Sequence, residues 1–512
     1  MLLSRLRVLS FSGIALAASL HADVVLAPVF GDGGVLQRDK PIPIWGRADP
    51  KEKVSVTFGG QSREVVTGKD GRWIVYLDPL PASAEGADLV VAGNNTLTLR
   101  DVVIGEVWIC SGQSNMEWSV DRSLHAAAEI AAANFPLIRH LKIERTVAET
   151  PADTVKTSGW QPATPEHVGK FTAVGYFFAR DLHRNLGVPI GLVNASWGGT
   201  PVHAWMSPAA LASDPAFDVV HERWQKALAE YPAKKAAFDT LFAKWSEGEA
   251  AAKAAGKDQL AEYLKANPRP WLPPWHPGSS WTPSGLFNGM ISPLLPYALR
   301  GVIWYQGESD ANLAHEYQRK FSAMITTWRA HFGQGDVPFY WVNLANFLER
   351  RDKSGVTYAH LREAQTKTLA LPNTGQALAI DIGEPENIHP RNKQEVGRRL
   401  ALIAKARDYG IPVDYVGPTF VSAKREGKAM RVRFAHANGL VAHNKPVQSL
   451  EIAGADGKFY TATVTIEHDT MLVSAPEVPE PVTVRYAWHN SPEANLYNGA
   501  GLPAVPFRSD DW

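Results

Sequence analysis

The chain has 512 residues, and its 52 basic side chains balance its 52 acidic ones, so it carries no net charge. This balance excludes the strong positive field with which proteins attract nucleic acid or an anionic membrane. A hydrophobic content of 45% is typical of a globular protein, and the length allows two or three domains. The 17 tryptophans are an unusual number. Exposed tryptophans stack on sugar rings, although burial explains the number equally well.

The first 22 residues have the pattern of a secretory signal peptide. Arg5 and Arg7 supply the positive start, and a short apolar run then leads to a small residue, Ala22, suited to cleavage. The run is too short to span a bilayer, and no later segment approaches the necessary length. We therefore expect an exported protein, periplasmic or secreted, without a membrane span. The single cysteine, Cys110, allows no internal disulfide.

Three regions follow the predicted signal peptide. Residues 23–103 contain short apolar runs separated by Gly, Asp, Asn and Pro turns, the pattern of an all-β sandwich. Residues 104–411 alternate strand and helix patterns, which indicates a parallel sheet with helices on both faces. Within them, a stretch at about 208–266 has apolar residues at helical spacing and predicts a helical insertion. Residues 412–512 return to β patterns, so we predict an α/β domain flanked by all-β, sandwich or jelly-roll regions at both ends.

Polar segments follow four of the apolar strands predicted in the α/β domain. They are SGQSNM after Cys110, ASWGGTPVHAW after Asn194, YQGESD after Trp304 and EPENIHPRN shortly after Asp381. The carboxyl ends of parallel strands meet at one edge of a sheet, where ligands and catalytic groups collect. The four segments together therefore predict one site.

The residues in these segments are those of a serine esterase. Ser114 is the candidate nucleophile, and His389 is the candidate base that takes its proton. The oxygen that becomes negative needs fixed donors, and we predict the backbone N–H groups of Ser114 and Gly199 and the side-chain amide of Gln306. No cluster of His and Cys has the spacing of a zinc site, so we expect neither a metal nor another cofactor.

These segments resemble the successive blocks of the SGNH hydrolases, and within them the bacterial sialate O-acetylesterase-like carbohydrate esterases. The resemblance covers GEVWICSGQSNMEW, NASWGGTPVHAWM, the long block that ends in VIWYQGESDAN, and DIGEPENIHPRNKQEVGRRLAL. The G-x-S-x-G pattern of the α/β-hydrolase elbow is absent. The resemblance implies a three-layer α/β domain with a flavodoxin-like parallel sheet, and metal-independent removal of O-acetyl groups from sugars.

The carboxylate that orients the histidine is left open by the residues. Many SGNH enzymes carry aspartate three residues before the catalytic histidine, where this chain has Glu386. Glu386 is therefore our first candidate and Asp381, which follows an apolar strand, is the alternative. Glu384 is a further candidate, and a Ser–His dyad without a carboxylate also remains open.

The predicted substrate is an acetylated carbohydrate, either a sialic acid or an acetylated plant cell-wall glycan such as xylan or xyloglucan. Trp197, Trp205 and Trp281 are predicted to bind the sugar. Two alternatives remain open: an esterase or lipase that acts on another acyl group, and a carbohydrate-binding protein without catalytic activity.

Overall fold

The computed structural model describes residues 23–272, 275–443 and 445–512. The predicted signal peptide, residues 1–22, lies outside the described residues. In these ranges the chain combines one large mixed sheet with helices and with several smaller sheets toward both ends. This confirms the predicted α/β class with β regions before and after it.

The first β region is continuous with the central sheet through one long strand. Its strands are β1 Val25–Leu26, β2 Val35–Gln37, β3 Ile42–Arg47, β4 Lys53–Phe58, β5 Gln61–Val66, β6 Arg72–Leu77, β7 Ser83–Ala92 and β8 Thr96–Gly112. Strand β8 pairs with β7 along its first half and with β11 and β12 along its second half. It therefore crosses residue 103, where we predicted the first region to end, without a break in backbone pairing.

The middle of the chain supplies the rest of the eleven-stranded sheet. Its strands are β9 Phe135–Ile143, β10 Thr157–Ala163, β11 Ile190–Ser196, β12 Gly301–Tyr305, β13 Phe339–Asn343 and β14 Thr374–Leu378. Their order is β10-β9-β11-β8-β12-β13-β14, and neighbours are parallel except β10, which runs antiparallel to β9. The sheet is thus mixed, not purely parallel as predicted, because a direct connection folds β10 back on β9 and the first β region joins the same sheet.

Helices lie between these strands in the sequence. They are α1 Ser114–Glu117, α2 Ala126–Ala131, α3 Ala173–Leu186, α4 Val202–Trp205, α5 Pro208–Leu211, α6 Asp218–Ala255, α7 Lys257–Ala266, α8 Ala314–Phe332, α9 Thr357–Lys367 and α10 Lys393–Asp408. Helices α5, α6 and α7 occupy the stretch in which we predicted a helical insertion. Helix α3 packs on α10, and α8 packs on α9.

The two helix pairs cover opposite faces of the sheet. Trp108 of β8 packs edge-on against Phe178 of α3, with ring centroids 5.0 Å apart. Trp304 of β12 packs against Trp328 of α8, with centroids 6.0 Å apart. Trp304 pairs in register with Ser111, three residues beyond Trp108, so the two tryptophans point to opposite faces.

The last region is all β. Its strands are β15 Thr419–Glu426, β16 Ala429–Ala435, β17 Val441–Ala442, β18 Leu450–Ala453, β19 Phe459–Thr461, β20 Thr463–Glu467, β21 Thr470–Ser474, β22 Thr483–Tyr486, β23 Leu496–Tyr497 and β24 Phe507–Arg508. They form two four-stranded sheets and one two-stranded sheet around a separate hydrophobic core. The hydroxyl of Tyr497 reaches Asp381 at 3.3 Å, so this region contacts the edge at which the predicted site lies.

Candidate active site

A sharp turn after β8 places Ser114 at the carboxyl edge of the sheet. Gly112 has a φ of +127°, and a Cβ there would lie 2.2 Å from the carbonyl oxygen of Tyr305, so only glycine fits. The backbone N–H of Gln113 donates to the same oxygen at 2.9 Å. Ser114 then begins α1 as its first residue, with its hydroxyl directed away from the helix backbone.

The structure brings Ser114 and His389 together from positions 275 residues apart. The Nε2 atom of His389 lies 2.8 Å from the Oγ atom of Ser114, a hydrogen-bond distance. Both side chains are half-buried, so a small substrate can reach them. This is the contact that a histidine needs to take the hydroxyl proton.

An aromatic ring covers the imidazole of His389. Trp118 stacks on it with ring centroids 4.8 Å apart and an angle of 22° between the planes. The guanidinium of Arg122 lies 3.6 Å from the centroid of the same indole. Burial, followed by the positive charges of Lys393 and Arg122, lowers the pKa of His389 to about 4. The imidazole is therefore neutral, and able to accept a proton, at neutral and mildly acidic pH.

Glu384 organises the loop that carries the histidine. Its carboxylate accepts hydrogen bonds from the Asn387 side chain at 3.1 Å and from the backbone N–H of Arg391 at 2.9 Å. Asn387 in turn accepts the backbone N–H of His389 at 3.0 Å. Glu384 thus fixes the backbone around the histidine without contacting the imidazole.

The two carboxylates predicted to orient His389 are engaged elsewhere. Glu386 is exposed, and its carboxylate lies 2.6 Å from the guanidinium of Arg350. Asp381 forms a two-point ion pair with Arg399 at 2.7 and 2.8 Å. Within the described ranges no carboxylate forms an ion pair or hydrogen bond with His389, whose side-chain partner is the hydroxyl of Ser114.

The glycine loop after β11 lies directly against the serine. A Cβ on Gly198 would be 3.1 Å from the Cβ of Ser114. The N–H of Gly198 donates to Glu117 at 2.9 Å and is therefore occupied. The N–H groups of Ser114 and Gly199 donate to no acceptor in the part of the chain that the structure describes. Both groups are therefore free to donate to a negative oxygen.

Gln306 does not have a free donor, contrary to our prediction. Its amide nitrogen donates to the carbonyl oxygen of Thr200 at 3.1 Å and to the carboxylate of Asp310 at 2.5 Å. Its amide oxygen accepts the hydroxyl of Tyr317 at 2.9 Å. Because both amide hydrogens are used and the residue is fully buried, Gln306 supports the loop after Gly199 and does not face a substrate.

The three tryptophans predicted to bind sugar differ in their accessibility. Trp205 is fully buried, and its indole N–H donates to Thr200 at 2.9 Å, so it cannot contact a substrate. Trp281 is partly exposed and donates to the carbonyl oxygen of Gly199 at 2.7 Å. Trp197 is also partly exposed and has the guanidinium of Arg145 5.6 Å from its ring centroid. Trp197 and Trp281 thus remain at the edge of the site.

Several residues of the site were not predicted from the sequence. They are Trp118, Arg122, Asn115, Glu308 and Lys393. Asn115 directly follows the nucleophile and Lys393 lies four residues after the histidine, so adjacency was the available signal. Across the described ranges, no group of three or more His, Cys, Asp or Glu side chains is arranged to hold a metal ion. No helix in those ranges is both long and apolar enough to cross a bilayer.

Comparison with known proteins identifies the family. The family model described as carbohydrate esterase, sialic acid-specific acetylesterase, matches residues 104–264 and 275–405. The chain belongs to this family. This esterase is also 30% identical to sialate O-acetylesterase of Rattus norvegicus, and the alignment covers 91% of this chain and 90% of the relative. The human sialate O-acetylesterase is 28% identical, over 91% of this chain and 88% of the relative.

A solved structure agrees with this family. A carbohydrate acetylesterase from Xanthomonas citri superposes on the esterase with a TM-score of 0.80 and 37% sequence identity. The alignment covers 96% of this chain and all of that chain. The esterase is therefore an enzyme of the carbohydrate O-acetylesterase class.

Proposed function

We propose that this protein is an exported enzyme that removes O-acetyl groups from a carbohydrate, with Ser114 as nucleophile and His389 as general base. The observation that carries the proposal is the 2.8 Å contact between the Oγ atom of Ser114 and the Nε2 atom of His389. Their order in the chain and their position at the carboxyl edge of the sheet support assignment of the α/β domain, residues 104–411, to the SGNH hydrolases.

The reaction proceeds in two steps through an acetyl-enzyme. As the Oγ atom of Ser114 bonds to the acetyl carbon, its proton passes to the Nε2 atom of His389. Collapse of the tetrahedral intermediate breaks the bond to the sugar oxygen, which takes the proton from His389. Water then attacks the acetyl carbon and gives a proton to His389. Acetate leaves as the bond to Oγ breaks, and His389 returns the proton to Ser114.

The negative oxygen of each intermediate is stabilised by the backbone N–H groups of Ser114 and Gly199. The N–H of Ser114 is at the start of α1, where the first N–H groups of a helix lack backbone partners. The next peptide group, Gly199–Thr200, is held in place because the indole N–H of Trp281 donates to the carbonyl oxygen of Gly199. Fixed donors of this kind stabilise the transition state without reorganisation.

The substrate candidates are a sialic acid and an acetylated plant glycan such as xylan or xyloglucan. Arg122 is exposed, and no described carboxylate forms an ion pair with it, so it is available for the carboxylate of an acidic sugar. Trp197 and Trp281 offer aromatic surface to a neutral ring.

Acetate release from an acetylated sialic acid, xylan and xyloglucan, measured side by side, tests the proposal. We expect release from at least one of the three and little hydrolysis of long-chain 4-nitrophenyl esters. A preference for long acyl chains would favour the lipase alternative. Absence of hydrolysis of every ester, 4-nitrophenyl acetate included, would favour a binding protein without catalytic activity.

We expect the activity to persist into mildly acidic solution. His389 acts as a base only when neutral, and burial with two nearby positive charges lowers its pKa to about 4. As the pH falls through that value, protonation removes the base, so kcat/KM should be level above about pH 5 and then decrease. Initial rates on 4-nitrophenyl acetate between pH 3.5 and 7 measure this. An acid limb centred near 6.5, the ordinary value for histidine, would contradict the site as described.

We expect neither predicted carboxylate to be an orienting residue. Glu386→Gln removes an exposed ion pair with Arg350 and should leave kcat within a few-fold of the wild type. Asp381→Asn breaks a buried pair with Arg399 and should lower the melting temperature while the folded enzyme keeps its pH profile. A loss of about 100-fold or more in kcat for Glu386→Gln would instead identify a triad acid.

We further propose that the enzyme is exported and that its mature form begins at Asp23. The support is the charged start and short apolar run of residues 1–22. We also propose three domains with the limits inferred from the sequence, which are residues 23–103, 104–411 and 412–512. Amino-terminal sequencing of the protein recovered from the periplasm or the medium tests the cleavage site.

A further inference from the structure

The residue after the nucleophile, Asn115, is a buried connection between the two catalytic residues. Only 1% of it is exposed. Its amide oxygen accepts the ammonium of Lys393 at 2.5 Å. Its amide nitrogen donates to the carboxylate of Glu308 at 2.5 Å and to the carbonyl oxygen of Ile388 at 3.0 Å. One side chain therefore links the residue that follows Ser114 to the residue that precedes His389.

The charges on either side fix the orientation of this amide. Lys393 donates to the amide oxygen of Asn115, and in its ammonium form it can only donate. A carboxylate only accepts them, so Glu308 must face the amide nitrogen. With both ends determined, the remaining N–H of Asn115 points at the carbonyl oxygen of Ile388 and holds it in place.

Burial of the Lys393 amine at this position is unfavourable in free energy. It is fully buried as the first residue of α10, and its only aromatic contact among the described residues is the face of Tyr305, 5.2 Å away. One oxygen of Glu308 has no hydrogen-bond partner in the described part of the chain. Burial lowers the pKa of Lys393 to about 7 and raises the pKa of Glu308. Buried ion pairs can often be replaced by hydrophobic residues of similar volume without loss of stability, so a buried lysine is weak evidence for a stabilising role.

We propose that Lys393 is a positioning residue of the Ser–His dyad, which acts through Asn115 to hold the backbone of Ser114 and of His389 at the reactive separation. In a triad the carboxylate on the far nitrogen fixes the imidazole. Here no carboxylate among the described residues contacts the imidazole, and the Lys393–Asn115 connection supplies the constraint from the backbone side. The inference rests on the proposed function. It adds that Lys393 supplies the positioning that the carboxylate supplies in a triad.

Electrostatics separate this role from that of a triad acid. The charged groups that face His389 are Lys393 on α10 and Arg122 on the turn after α1, and both are positive. Lys393 itself faces Glu308 and Glu384. A positive charge disfavours the imidazolium that forms during the reaction, so Lys393 does not help by stabilising charge. Its contribution is to geometry, and a displacement of about 1 Å in reacting groups costs about 100-fold in rate.

Lys393→Met is the first test. We expect kcat on 4-nitrophenyl acetate to fall about 100-fold with KM changed by no more than a few-fold. We also expect the acid limb of the pH profile to move upward, because a positive charge near His389 is lost. Lys405→Met is the matched control: Lys405 is a buried lysine on the same helix, paired with Asp181 at 2.7 Å. It should leave kcat and the acid limb unchanged.

The double variant decides whether Lys393 acts through Asn115. Asn115→Ala alone should lower kcat to a similar extent, and Lys393→Met combined with Asn115→Ala should lose no more than the worse single variant. The proposal would be overturned if the loss in kcat of the double variant equalled the product of the two single losses. It would also be overturned if folded Lys393→Met kept a kcat within threefold of the wild type. If Lys393→Met fails to fold, as judged by circular dichroism and melting, Asn115→Ala carries the test and must show the same loss in kcat at unchanged KM.

A parallel measurement of Ser114→Ala separates the two levels of inference. An active Ser114→Ala would refute the proposed function, whatever Lys393 does. An inactive Ser114→Ala with a fully active Lys393→Met would refute only the positioning role.

Discussion

Ser114→Ala is expected to lower kcat for acetate release by about 10⁴- to 10⁶-fold, the range found when a catalytic serine is removed from a serine hydrolase. The Oγ atom that bonds to the acetyl carbon is gone, and no other described hydroxyl lies at hydrogen-bond distance from His389. Alanine is a good helix former, and the hydrogen bond given for the Ser114 hydroxyl among the described residues is with His389, so α1 should remain intact. Acetate release and the melting temperature of the purified variant are the measurements.

Ser119→Ala is the matched control for this variant. Ser119 lies in the same segment, and its hydroxyl donates to Asp121 at 2.5 Å, away from the dyad. Its loss should leave kcat close to the wild-type value. If folded Ser114→Ala kept more than about a tenth of the wild-type turnover, the covalent mechanism proposed here would be incorrect.

His389→Gln is expected to have the second largest effect, a loss of about 10⁴-fold or more in kcat. Glutamine has no basic nitrogen, so the hydroxyl of Ser114 would keep its proton as it approaches the acetyl carbon. The two residues act as one unit, and the double variant with Ser114→Ala should therefore be no slower than Ser114→Ala alone.

His167→Gln serves as the control for loss of an imidazole. His167 is partly exposed and contacts the hydroxyl of Thr164 at 3.0 Å, in a turn outside the dyad. It should keep full activity. A loss of less than tenfold for folded His389→Gln, with the acid limb unchanged, would mean that another group takes the proton.

The strands and their shared edge could be predicted because local sequence determines them. Apolar runs such as Val107–Cys110 bury both faces, as central strands of a parallel sheet must. Position 112 requires glycine because a Cβ there would collide with the neighbouring strand. Ser114, Gly199 and His389 come to one edge because each lies in the segment that follows a parallel strand, and the carboxyl ends of these strands meet there.

The partners of charged and amide groups could not be predicted in the same way. Gln306 has the expected position at the end of β12, but its donors are taken by Thr200 and Asp310, which only the folded chain brings to it. Glu386 has the expected spacing from the histidine, yet the salt bridge that it forms is with Arg350, 36 residues before it. Sequence spacing fixes which residues are near in the chain and not which ones compete for a hydrogen bond.

The buried connection through Asn115 was missed for a related reason. A lysine at the start of a helix is ordinarily a solvated residue, and nothing in the sequence indicates that Lys393 is fully buried. Trp118 was also missed as a cover for the imidazole, since its ring meets His389 only across 271 positions of the chain. Both residues become visible only when the two loops are placed side by side.

The central claim is that the acetyl group passes through a covalent bond to Ser114. The enzyme can be mixed with 4-nitrophenyl acetate, quenched in acid within one turnover, digested with trypsin and analysed by fragmentation mass spectrometry. The account predicts one added acetyl group on Ser114 in the peptide that contains residues 101–122, and none on Ser111 or Ser119 in the same peptide. An acetyl group on another residue, or turnover at the full rate with no acetylated peptide at any quench time, would contradict it.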